Sequence, residues 1–573
     1  MAESAARPAR RRPSKPIASG LRARLRLPAD MLWNRIWYDL RTPLFGSRLY
    51  RLLLPARVAI GPAPVPLADS WPGDAARGAA ISQGVFAFGG QSIRDPAPLW
   101  APIGARPSWL EELHRFEWLR DLRAASGEAG RRTARELVSR WIDDCHDWDA
   151  LAWRPDVIGQ RLGAWMSHYE FLGVAADALF RGRFLLSVSR QASHLARALP
   201  GGLGGSALLA AIAGLMQAGL ALPRGAGHVL RGRRLLEREL ARQFLGDGGH
   251  RERSPSALFA LLRLLTGLRS ALTAAEQPLP AGLEETIRGM TQILRLLQHG
   301  DGRLALFNDS NEEEDWLVDM ALARANGRAA PLKEAVDSGF ERLVASRTLV
   351  LVDSGAPAPA GFDRHAHAGT LSFEMSVGRE RLIVNCGAHS GRGDWWQAQR
   401  STAAHSTLVA DDTNSSVFAA AGGLVRGPRA VTCRRDESDG NVWLELSHDG
   451  YRQTFDLIHR RRLFLSAGGD ELRGEDRLAG GGQRPFAVRF HLHPDVTASL
   501  AQNGQAVLLR LASGAGWRLR AAGGAVSLAD SIYLGRRAEI RKTQQIVVSG
   551  DKRDDDAVIK WAITREAKSA KRP

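Results

Sequence analysis

FDRHAHAGTLSFEMSVGRERLIVNCG, residues 362 to 387, places two histidines one residue apart just before an alternating run. Leu371, Phe373, Met375 and Val377 alternate with Ser372, Glu374 and Ser376, the pattern of a half-buried strand. RLIVNCG supplies its hairpin partner. From near residue 340 to the C-terminus the texture stays the same. TLVLVDSG, STLVADD, VWLELSHDG, TFDLIHRRRLFLSAGG, FAVRFHLHPD, AVLLRLASG, WRLRAAGG, AEIRKTQQIVVSGD and AVIKWAITRE are short, alternating and punctuated by Gly, Asp or Asn. Such a run predicts a large antiparallel β-sandwich over residues 336–573.

Upstream, residues 76–335 have helical periodicity instead. SWLEELHRFEWLRDLRAA, RRTARELVSRWIDDC, RPDVIGQRLGAWMSHYEFLG, GSALLAAIAGLMQAGLALP, GHVLRGRRLLERELARQFLG, SPSALFALLRLLTGLRSAL and LEETIRGMTQILRLLQHG follow one another with brief breaks. Ser108 with Glu111 three residues on has capping-box spacing. Helical hairpins stacked in a bundle, solenoid or toroid are expected. Helices first and strands second favours separate domains.

The chain has 573 residues, 44% hydrophobic and 24% charged, which is the composition of a soluble globular protein. Its net charge of +17 selects polyanions as partners without choosing among nucleic acid, anionic membrane and acidic polysaccharide. Arg7, Arg10, Arg11, Arg12, Lys15, Arg22, Arg24 and Arg26 make residues 1–75 begin as a basic arm. Residues 31–54 then mix Trp33, Trp37, Leu40, Leu44, Leu49 and Leu52 with Arg35, Arg41, Arg48 and Arg51, an amphipathic segment for an anionic membrane surface or for packing on the body of the protein. Basic and aromatic residues are not interleaved as a stacking platform requires, so specific nucleic-acid binding is not expected. Three scattered cysteines exclude a disulfide framework. No signal peptide or spanning helix is expected, which points to a cytoplasmic or membrane-associated protein.

His365 and His367 point the same way if their segment is extended, and His405 precedes another strand. With Asn385 or Asp363 as an oxygen donor they form a candidate zinc site, or else are hydrogen-bonded histidines. His491 and His493 repeat the spacing and are read as packed strand residues. DGGHRERSPS at 247–256 puts His250, Arg251 and Glu252 in a loop that is a groove candidate or simply a Gly stop and a Ser cap. FNDSNEEEDW at 307–316 reads as an acidic loop and helix start.

WLEELHRFEWLRDL, RPDVIGQRLGAWMSHY, LGDGGHRERSPS, FNDS, the HAHAGTLSFEMSVGRERLIVNCG stretch and RSTAAHSTLVADDTNSS together resemble the heparinase II/III family of polysaccharide lyases. That resemblance runs from about residue 80 onward and is strongest over 361–416. It implies an incomplete (α/α) toroid followed by an antiparallel β-sandwich. It also implies β-elimination on a uronate-containing acidic polysaccharide or exopolysaccharide, in a cleft between the two, and a place in the periplasm or cell envelope. Such a reaction needs a cation or histidine at the uronate carboxylate, a base for the C5 proton and an acid for the leaving oxygen.

By the same resemblance His365 projects into the cleft, while His367, Asn385 and His405 are the positions of a bound divalent metal, zinc. Two departures stand out. Asn385 occupies the place of a carboxylate and is a weaker zinc ligand. The family loop Glu-x-Ser-Pro-x-Tyr-His is here Glu252, Ser254, Pro255, then Ser256, Ala257 and Leu258, so the phenol is missing at Ala257. His194 also lacks the preceding Asn. Replacement catalysts would be His250, Glu252 or Tyr169, with Arg161, Arg251 or Arg400 on the substrate. The alternative function is a non-catalytic glycan-binding or scaffold protein of the same architecture.

Overall fold

The computed structural model describes residues 26 to 566, apart from 59–66, 68, 126, 174–175, 329, 390, 392–393, 420–421, 537–538 and 554. The arm from Arg7 to Arg24 lies outside the described residues.

Helices follow one another from Pro107–Arg115 to Asp315–Arg324. At their centre is Gly205–Ala221, apolar on all sides and buried almost throughout. It crosses Pro155–Ser167 at glycine: a Cβ on Gly214 would meet the Gly159 carbonyl oxygen at 1.9 Å. Only hydrogen on both partners permits that approach. Pro255–Ala274 is long and apolar enough to cross a membrane by length and composition, yet one flank packs into this core through Leu258, Leu262, Leu265 and Leu272. The helix expected to be capped by Ser108 instead starts at Pro107, with Arg106 before it and no side-chain cap, because Pro suits the first turn where no N–H partner exists. Ser254 does cap its helix, accepting from the N–H of Ala257.

Two antiparallel sheets follow. An eight-stranded sheet runs Val431–Ser438, Asn441–His448, Leu457–Leu465, Glu471–Gly480, Ala557–Arg565, Gly516–Ala522, Ala506–Arg510 and Thr497–Ala501. The nine-stranded sheet has Phe373–Val377 between Thr348–Asp353 and Glu380–Val384. Its facing residues and those of the first sheet share one core, in which Phe373 stacks on Trp561 at 5.5 Å.

The central strand corrects the reading of a half-buried element, since all five residues of Phe373–Val377 are buried. Phe373 and Met375 face the sandwich core, while Glu374 and Ser376 face the helical half and bind the two ring nitrogens of His299, each at 2.9 Å. Further along the same seam the Tyr533 hydroxyl donates to Glu312.

Before both halves lies the helix Ala29–Phe45. Met31 anchors it where Gly204 and Gly361 meet, and a Cβ on Gly204 would come within 2.3 Å of the Met31 methyl. Phe45 and Tyr50 pack on His194, whose Nδ1 lies 2.9 Å from the Tyr50 hydroxyl. The opposite face carries Trp33, Ile36, Trp37, Leu40 and Leu44, exposed by 42 to 67%.

Candidate functional site

Three loops converge at the seam between the helices and the nine-stranded sheet. Asn308 ties them, its side-chain amide donating to the Arg253 carbonyl and its Oδ1 accepting from the His367 N–H. Asn308 and Asp309 both have positive φ, 47° and 57°, a conformation that Asn and Asp tolerate better than other side chains. The turn aims Asp309 at His365, with Oδ2 2.7 Å from Nδ1. Both side chains keep about a fifth of their surface, 22% and 19%.

His365 and His367 do not point the same way. Asp363–His365 is a turn of 3₁₀ helix rather than extended chain, so His365 turns to Asp309 and His367 turns inward to His405. His405 Nδ1 lies 2.8 Å from the Ser401 carbonyl and must donate to it. Its Nε2 is therefore an acceptor, and His367 Nδ1, 3.3 Å away, supplies the proton. Burial holds both imidazoles neutral, His405 down to about 4 and His367 well below its ordinary value. Among the described residues His367 Nε2 has no partner.

Asn385 is committed on both sides. Its amide donates to Glu374 Oε1 at 3.0 Å, and its Oδ1 accepts from the Ser406 N–H at 3.0 Å. Glu374 in turn accepts from the N–H groups of Leu306 and Asn385 and meets His299. A zinc ion needs three or four free donors within about 2.3 Å. Two imidazoles are present here, but the oxygen that would complete the set is a neutral amide already engaged by the Ser406 N–H, and no carboxylate joins them. Among the described residues no group of three His, Cys, Asp or Glu can hold a metal. These residues do not fit the zinc that the family resemblance implies.

The remaining candidates separate. Arg161 is fully buried, 4.0 Å from the face of Trp141, and donates to Gln191 and to the carbonyls of His114 and Ala152; burial lowers its pKa to about 9. It is a strut of the helical core, which corrects its assignment as a carboxylate partner. Tyr169 packs its ring on Phe184 at 5.7 Å in the same half. Arg400 is buried too, donating to the carbonyls of Ala366 and Asp363 over the ring of Phe418, so it shapes the turn that carries His365.

His250 binds Gln243, and burial lowers its pKa. Glu252 accepts from the N–H and hydroxyl of Ser206, near the start of Gly205–Ala221, and its Oε2 makes no hydrogen bond among the described residues but lies 3.6 Å from His250 Nδ1. Arg251 donates to the Arg242 carbonyl. Burial also lowers the pKa of His491, to about 3, and its Nε2 donates to the Ala403 carbonyl as a packed strand residue.

All five tyrosines are described. Tyr50 meets His194, Tyr451 donates to the Leu408 carbonyl, Tyr533 to Glu312, Tyr38 packs on Phe45 and Tyr169 on Phe184. No phenol takes the place vacated at Ala257. Under the site lies Arg461, fully buried, which donates to the carbonyls of Leu371 and Ser406 and so fixes both histidine loops from below.

The model of the heparinase II/III N-terminus matches residues 99–326, and that of the heparinase II/III-like C-terminal domain matches 327–562. The chain belongs to the heparinase II/III family. Among curated proteins, FtsZ-localized protein C of Caulobacter vibrioides (strain NA1000 / CB15N) is 33% identical over 96% of this chain and 99% of that protein. Among solved structures, heparinase III matches with a TM-score of 0.67 at 17% identity, over 82% of this chain and 79% of the other. A mutant of the heparan sulfate lyase HepC from Pedobacter heparinus matches at 0.61 and 18%, over 94% and 91%. Those two likenesses establish the heparinase fold, the helical toroid followed by a β-sandwich.

Proposed function

We propose that this heparinase-family chain works as a scaffold on an anionic membrane surface, and that its seam binds without turning over a uronate polysaccharide. The observation that carries the reading is the outer face of Ala29–Phe45. Trp33, Trp37, Leu40 and Leu44 follow at spacings of four, three and four, one stripe along a helix that is already anchored on its other side. Leu49, Leu52 and Leu53 extend the apolar surface, and Arg41 stands over Trp37 at 5.5 Å. Apolar side chains entering the headgroup boundary with arginines at the phosphates is the physics of an interfacial helix. The relative named for its localisation with FtsZ supports an assembly role of the same kind.

The chemistry of the seam agrees. β-Elimination needs an acid and a base on one sugar, whereas Arg161 is buried in the helical core, Tyr169 is half-buried against it and Ala257 has no phenol. A second reading, lyase action on an acidic polysaccharide, rests on His365 with Asp309 and on His250 with Glu252.

Flotation of the full chain with vesicles tests the proposal. Binding to vesicles containing 30% phosphatidylglycerol, lost in Trp33→Glu/Leu40→Glu, is the expected result. Equal partition of wild type and variant would overturn it.

A further inference from the structure

The outer face of the eight-stranded sheet curls into a trough of about 1290 Å³, on the side of that sheet turned away from the sandwich core. Register sets its floor in two ladders. In one, Asp436 opposes Trp443, Trp443 opposes Phe464, Phe464 opposes Arg473, and Ala562 then leads to Arg520. In the next, Arg434, Glu445, Arg462, Glu475 and Lys560 oppose one another in turn, alternating in sign. The inner charges are satisfied within the sheet: Arg462 meets Glu445 at 3.1 Å, Lys560 meets Glu475 at 3.9 Å and Arg473 meets Glu471 at 2.6 Å. At the two ends the pattern differs. Arg434 and Arg520 make no ion pair among the described residues, nor does Asp436 two residues from Arg434, and Trp443 is 37% exposed between the two arginines.

We propose that this trough docks an extended acidic peptide segment of a partner protein, a function independent of the membrane reading above. Charge decides the sign. The lining holds the cations of Arg434, Arg462, Arg473, Arg520 and Lys560 against the carboxylates of Asp436, Glu445 and Glu475, and of the groups without an ion pair two are the end arginines and one is Asp436, which leaves the excess positive. Geometry decides the length. From the strand of Arg434 to the strand of Arg520 there are five strand spacings of about 4.8 Å, or roughly 24 Å, which an extended chain at about 3.4 Å per residue spans with about seven residues.

Aromatic geometry favours a peptide over a sugar. Trp443 and Phe464 lie 4.9 Å apart and tilted by 47°, and Arg473 covers the Phe464 ring at 5.5 Å. A sugar ring would need a flat uncovered face. A leucine or phenylalanine side chain needs only the wedge beside Trp443, with acidic neighbours reaching the terminal arginines.

The probe is a phage-displayed random heptapeptide library panned on the immobilised full chain, with Trp443→Ala/Arg434→Glu/Arg520→Glu as counter-target. Enrichment of heptapeptides carrying acidic residues around one large apolar residue is expected. Synthetic copies should bind wild type at least tenfold more tightly than the variant in fluorescence anisotropy, with circular dichroism unchanged between the two. No enriched acidic family, or copies that bind the variant equally well, would overturn the proposal. So would a heparin hexasaccharide, lost from the same variant, as the trough's sole ligand.

Discussion

His365 Nδ1 and Asp309 Oδ2 stand 2.7 Å apart across the seam, joining a 3₁₀ turn of the sandwich to an irregular turn of the helical half. The pair is partly open to solvent, so its worth to stability is small. Double-mutant cycles on Asp309→Ala and His365→Ala in urea unfolding should give a coupling of about 0.2–1 kcal/mol. A coupling several times larger would mean that the pair, and not the Asn308 bridge, holds the loops together.

Asp476 presents the opposite case. It is fully buried in the sandwich, where it accepts from Arg461, from His459 at 2.7 Å and from the Trp561 indole at 2.8 Å, and these donors hold its carboxyl well below the usual range. Asp476→Asn leaves Arg461 as an uncompensated buried cation and should cost about 3–5 kcal/mol. Because Arg461 also holds the carbonyls of Leu371 and Ser406, the variant should shift the amide signals of both histidine loops in NMR spectra. Loss of stability without those shifts would separate Arg461 from the site.

Buried histidines set the acid limit. Burial lowers His114, His194 and His405 to about 4, against about 6.5 in an unfolded chain. Between those values the unfolded state binds protons that the native state refuses, so stability rises with pH across this window and is lost as pH falls through it. Each such group contributes on the order of 1 kcal/mol per pH unit. The urea midpoint should therefore drop steadily from pH 6.5 to pH 4.5. A flat profile would contradict the neutral, buried state of these rings. Asp476, with its depressed pKa, acts lower, withdrawing its contribution only as pH falls below the ordinary carboxylate range.

Metal removal should do nothing. Overnight dialysis against EDTA is expected to leave the melting temperature unchanged, and elemental analysis to find no stoichiometric zinc. Asn385→Asp would set a second carboxylate 3.0 Å from Glu374 Oε1 in place of a hydrogen-bond donor. That variant should be destabilised by repulsion, and added zinc should recover it where wild type shows no response.

Much of the fold is legible in the chain. The change from helical to alternating periodicity near residue 340 matches the first long strand, Phe340–Ala345, and most strands named from pattern are present. Val431–Ser438 escapes that reading because VTCRRDES forms a charged edge with none of its residues buried. Glu471–Gly480 escapes because a glycine stands where Trp561 fills the space and charge covers the outer face. Phe373–Val377 looks half-buried because alternation cannot tell a solvent face from one that meets polar groups of another domain.

The site is only partly legible. HAH and AAHST mark the loops, yet the 3₁₀ turn that separates His365 from His367 depends on Arg400 holding the carbonyls of Asp363 and Ala366. Asp309 sits in an acidic run where no spacing distinguishes it from the residues that open the next helix. Arg161 stands among the candidate carboxylate partners, but its guanidinium turns inward to Gln191 and two carbonyls, and only packing records that.

On the proposed reading the chain keeps the heparinase fold while its seam does not carry out elimination. Absorbance of the unsaturated uronate product, followed during incubation of the full chain with a panel of uronate polysaccharides including bacterial exopolysaccharides, tests it most directly. No absorbance above the no-enzyme control from any substrate is the predicted result. A product that accumulates with wild type and disappears in His365→Ala would contradict it.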